Sequence, residues 1–85
     1  HEIYNKIVLL KDVEKSCTYI DELVFYYNIS HRDIVTIITT HFLYKHISKI
    51  KNEDFILIKN FFHNDINLKI STKCIINIIN NYPKN

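Results

Sequence analysis

The sequence predicts an all-α fold: a small four-helix bundle with a long first helix and non-parallel packing. Three observations carry that expectation. Apolar residues recur every three or four positions along most of the chain, the period of a helix with one buried face. Ser, Thr, Asn and Asp interrupt those runs at short intervals, and these are the residues that cap helices. Glycine is absent from all 85 residues, which removes the usual tight turns of β-hairpins.

The first helix is expected from Ile3 to Tyr27, on the stripe Ile3, Ile7, Leu10, Val13, Cys17, Ile20, Val24 and Tyr27. It would be about 37 Å long at a rise of about 1.5 Å per residue. So long a helix in so small a domain acts as a spine or contains a break, and Asp21-Glu22 in its interior gives no obvious break. In "YYNISHRD", residues 26–33, Asn28 suits a left-handed helix end. Ser30 is placed to cap the next helix through the Asp33 N–H, with Ile29 and Ile34 as a hydrophobic staple.

The second helix is expected from His31 to about Ile50. Ile34, Val35, Ile37, Ile38, Phe42, Leu43 and Tyr44 spread apolar surface over most of its circumference, so neighbours should cover it on several sides. Lys45, His46 and Lys49 suit the negative end of its dipole. Asn52 is expected to cap a third helix, with Glu53 and Asp54 in its first turn and Phe55, Ile58 and Phe62 on one face. "HND" at 63–65 ends it. Ile66, Leu68 and Ile70 alternate with polar residues, which reads as a short extended link or a loose turn. Ser71 or Thr72 then caps a fourth helix carrying Cys74, Ile75, Ile78, Ile79 and Tyr82, and Pro83 ends it.

Composition sets the class. Hydrophobic residues make up 47% and net charge is +2, values of a globular domain rather than a disordered one. At this length folding buries roughly 60–65% of the surface of the unfolded chain, which leaves a narrow stability margin. Residues 1–85 read as one helical domain. With no Met and a start at His1, it is expected to be excised from a longer multidomain protein. No apolar run reaches the ~18 residues of a membrane span, so no membrane partner is expected. Charge divides unevenly, −2 over residues 1–44 and +4 over residues 45–85.

No catalytic or metal signature emerges. His31-Arg32-Asp33 spells the start of a kinase catalytic loop, but Ile38 stands where that motif places its metal-holding Asn, and there is no Gly-rich loop. Asn28-Ile29-Ser30 is a glycosylation acceptor only in a secreted protein. His41 and His46 diverge by about 140° on a helix, and His31, His63, Cys17 and Cys74 lack ligands at zinc-site spacing. Cys17 and Cys74 could form one disulfide, but two cysteines so far apart make a weak framework and they read first as small buried apolar residues. Neither a cofactor nor a small-molecule substrate is expected.

Two surfaces are candidates for binding. On the first helix Val8, Lys15, Tyr19, Glu22 and Tyr26 fall within roughly 60° of one another, opposite the apolar stripe. That face suits a protein partner, since tyrosine gives large contact area at low entropy cost. In the second half Lys45, Lys49, Lys51 and Lys59 form a candidate basic face that could meet phosphates. Arg32, the one arginine, stands on the acidic half.

The stretches "NKIVLLKDVEKSCTYIDELVFYY", "SHRDIVTIITTHFLYKH", "NEDFILIKNFF" and "STKCIINIINNYP" cover nearly the whole chain. In size, helix order and composition they resemble the ACDC domain, an accessory module that accompanies Apetala-type DNA-binding domains in apicomplexan transcription factors. The bias towards Ile, Asn, Lys, Tyr and Phe, residues of A/T-rich codons, fits such a source. The resemblance implies a non-catalytic helical module of a nuclear transcription regulator. It would bind protein partners and leave DNA recognition to another domain. The alternatives are a small basic helical domain that contacts nucleic acid directly, and a helical fragment of a larger enzyme.

Overall fold

The helix expected from Ile3 to Tyr27 is two helices. In the computed structural model, which describes residues 2–63 and 67–82, the chain forms α1 (Glu2–Leu10), α2 (Val13–Tyr27), α3 (His31–His46), α4 (Asn52–His63) and α5 (Leu68–Asn80). Among the described residues the all-α class holds, with five helices instead of four and no long first one. Lys11 adopts a left-handed conformation with φ of 51°, and Asp12 is extended. The Asp12 carboxylate accepts from the Lys15 N–H at 2.9 Å and so caps α2. The apolar period runs through this corner because Leu10 and Val13 keep helical spacing across it.

The second corner follows the expected pattern. Asn28 ends α2 in the left-handed region, with φ of 53°. Ser30 Oγ accepts from the Asp33 N–H at 3.2 Å and caps α3. Ile34 is buried and half-buried Ile29 packs against the core, as a staple requires.

α3 is the central helix, packed on α1, α2 and α5. It buries Ile34, Val35, Ile38, Thr39, Phe42 and His46, while Ile37 and Tyr44 of its expected apolar set are exposed. α1 lays Tyr4 and Ile7 onto the core, α2 adds Ile20, and α5 adds Ile75, Ile76, Ile78 and Ile79. Tyr27, expected in the stripe, is exposed where α2 ends.

α4 is peripheral. It packs mainly on α5 and buries Ile58 and Phe61, leaving Phe55, Ile56, Leu57 and Phe62 exposed. Asn52 is its first helical residue rather than its cap; the Lys51 carbonyl receives the Phe55 N–H at 2.9 Å. α5 starts earlier than expected. Asn67 is the cap, its side chain accepting from the Ile70 N–H at 3.2 Å. Leu68 and Ile70 are therefore helical, and Ser71 and Thr72 lie inside the helix. Asn64, Asp65, Ile66 and Pro83 of the expected turn and stop lie outside the described residues. The radius of gyration is 12.0 Å, the roughly 12 Å of a compact chain this long.

Candidate functional site

His31-Arg32-Asp33 forms the joint on which three helices meet. Thr72 Oγ1 donates its one hydrogen to the Leu68 carbonyl at 2.7 Å. It must therefore accept from His31 Nε2–H at 2.9 Å, which fixes the histidine tautomer and ties α3 to α5. Arg32 places its guanidinium 5.1 Å over the Phe61 ring and donates to the Phe61 carbonyl at 3.5 Å, tying α3 to α4. Asp33 donates its N–H to the cap. Each part of the tripeptide has a structural address.

Beside that joint lies a cavity of about 190 Å³ between α2 and α5, lined by Glu14, Cys17, Thr18, Asp21, His31, Lys69, Thr72 and Lys73. Typical small-molecule sites start at about 300 Å³. Cys17 and His31 line it together, but burial first and the Glu14 carboxylate next push the Cys17 thiol up. A nucleophilic cysteine needs the opposite environment. Glu14 also pairs with Lys73 at 3.4 Å across the cavity mouth. Both cysteines are free, and Cys74 is exposed rather than buried. Among the described residues no group of three His, Cys, Asp or Glu side chains could hold a metal ion.

His41 and His46 have aromatic neighbours. His41 lies 4.6 Å from the Tyr4 ring. His46 is buried beside Phe42 at 5.0 Å and Tyr82 at 5.5 Å. Burial lowers the pKa of both, and the Lys45 charge adds to this at each, joined by Lys49 at His46. Tyr82 closes the cluster: its ring meets Phe42 edge-on at 5.1 Å, its hydroxyl donates to Asp54 Oδ2 at 2.7 Å, and it accepts from the Lys51 N–H at 2.9 Å.

The break at Lys11 divides the candidate partner surface. Val8 stays on α1, half-buried against the core. Lys15, Tyr19 and Glu22 line an open groove between α1 and α2 with Lys6, Leu10, Glu14 and Thr18. Tyr19 is half-buried there, with Lys6 Nζ 5.9 Å from its ring centre. Tyr26 alone of the two tyrosines points fully outward. It belongs to a feature that residue spacing did not single out: Phe25, Tyr26 and Tyr27 are consecutive and 79%, 72% and 68% exposed. Phe25 and Tyr26 form an edge-to-face pair with centroids 5.1 Å apart. Three adjacent aromatics before a left-handed Asn were the available signal, because a helix that ends at the bundle's edge has nothing left to cover them.

Of the candidate basic face, Lys45 and Lys49 stand near His46 at the end of α3, and Lys45 Nζ lies 5.9 Å from the Tyr4 ring centre. Lys51 precedes α4 and Lys59 is exposed on it. Among the described residues no helix is long and apolar enough to cross a membrane. Comparison with known proteins finds no matching family, no matching curated protein and no matching solved structure.

Proposed function

We propose that this chain is a non-catalytic helical interaction module of a transcription regulator. It docks a protein partner through the exposed end of α2. The observation that carries the docking role is the exposure of Phe25, Tyr26 and Tyr27 side by side. Contiguous exposed aromatic surface is costly in water and marks contact sites, and tyrosine is enriched among the residues that dominate binding energy. The transcriptional setting, a nuclear location and a separate DNA-binding domain rest on the ACDC resemblance alone. The test is the double variant Phe25→Ser/Tyr26→Ser in the full-length protein. Recovery of cross-linked partner should fall by about tenfold or more while the helical spectrum and melting temperature persist. Unchanged recovery rejects the α2 end as the interface.

A second reading, direct contact with nucleic acid through Lys45, Lys49, Lys51 and Lys59, draws support from the positive field that Lys45 and Lys49 impose on His46. Arg32, the natural base reader, is already engaged with Phe61. Such binding would be to phosphates and steeply salt-dependent. No DNA binding at low salt eliminates it.

A further inference from the structure

We infer that the outer face of the last two turns of α2, made by Asp21, Glu22, Phe25 and Tyr26, receives a basic segment of the partner carrying arginine or lysine beside apolar side chains. This rests on the reading of the α2 end as an interface and gives that interface its chemistry.

The four residues form two pairs at i,i+4 spacing, Asp21 with Phe25 and Glu22 with Tyr26, and such pairs are neighbours on a helix surface. All four are exposed, although Asp21 also borders the α2–α5 cavity that Lys69 and Lys73 line and Glu22 the α1–α2 groove that Lys6 and Lys15 line. Each carboxylate thus stands one turn from an aromatic ring. Aromatic faces carry negative charge density and attract cations, guanidinium most often. The edge-to-face contact of Phe25 with Tyr26 orients the two rings before any partner arrives. A third contribution comes from the backbone. α2 ends at Tyr27 with no basic residue in its last turn, and Asn28, Ile29 and Ser30 after it are uncharged. The negative pole of the helix therefore meets no protein cation in this segment, in contrast to α3, whose last turn holds Lys45 and His46.

Carboxylates, ring faces and helix pole all favour the same sign of partner. An anionic partner, a phosphate backbone included, would meet two carboxylates and the negative pole together. A wholly apolar partner would strip water from Asp21 and Glu22 with no charge in return. A segment that alternates cations with apolar groups satisfies both the acids and the rings. It would arrive faster at low salt, as complementary charge steers encounter.

The test uses the isotope-labelled 85-residue chain and three synthetic peptides of equal length: arginine with leucine, glutamate with leucine, and glutamine with leucine. The arginine peptide should move the amide resonances of residues 21–28, and the other two should not. Asp21→Asn/Glu22→Gln should weaken that binding by about tenfold and flatten its salt dependence; Phe25→Ser/Tyr26→Ser should weaken it similarly. Absence of shifts with the arginine peptide overturns the inference, as does equal binding of either other peptide at this face. Shifts of residues 21–28 with the chain's own concentration also overturn it, making a second copy the occupant. If the arginine peptide fails while Phe25→Ser/Tyr26→Ser still releases the full-length partner, the cationic chemistry falls and the interface stands.

Discussion

Ser30 was legible as a cap and Asp12 was not, although both do the same work. Ser30 stands outside the apolar period, between Asn28 and a fresh run, so the stop and start signals coincide. Asp12 sits inside an unbroken period, between Leu10 and Val13, and no glycine announces the turn before it. The chain makes that turn with Lys11, a residue with a Cβ and a long side chain, at φ of 51°. A left-handed non-glycine residue costs roughly 1–2 kcal/mol, partly offset in glycine by the greater freedom it loses on folding. Lys11→Gly should therefore raise stability by up to about 1 kcal/mol and shift the urea midpoint upward. A lowered midpoint would show that the Lys11 side chain contributes more than its backbone costs.

At the scale of elements, periodicity identified which segments are helical and misjudged how much each is covered. α4 has apolar residues on most sides, yet it packs mainly on α5, so Phe55 and Phe62 of its expected face meet solvent and only Ile58 is buried. Coverage depends on where neighbours lie, and a one-dimensional pattern holds no such information. The start of α5 was misread for a related reason: Leu68 and Ile70 alternate with polar residues like a strand, but the Asn67 cap sets the backbone first. α4 is instead fastened at its ends, by Arg32 on Phe61 and by Tyr82 on Asp54 and Lys51. Tyr82→Phe deletes the second fastening while keeping the ring against Phe42. The bond to a carboxylate and a backbone N–H is worth about 1–3 kcal/mol. Amide exchange should accelerate in α4 and leave α2 unaffected, since elements with few buried contacts open locally. Equal acceleration in both helices would show α4 to be part of the global unfolding unit.

For the molecule as a whole, the aromatic cluster at the end of α3 links folding to pH. Phe42, His46 and Tyr82 join α3 to the end of α5, and the Tyr82 hydroxyl carries the link to α4. His46 was expected to serve the helix dipole as a cation; burial instead favours its neutral form, with Lys45 and Lys49 acting in the same direction. His41 is lowered too, by burial first, with Lys45 among the charges that add to it. In both cases the folded pKa lies below the unfolded value of about 6.5. Between the two values the unfolded chain binds more protons, so stability rises with pH there. The contribution is complete above about pH 7 and is lost as pH falls through 6.5 towards the folded pKa values. Urea midpoints should therefore decline from pH 7.5 to pH 5.5. His46→Gln cannot titrate and should show a shallower decline, whatever its stability at pH 7.5. A decline equally steep in that variant would move the proton uptake away from the cluster, and a flat profile in the parent chain would remove both histidines from the account.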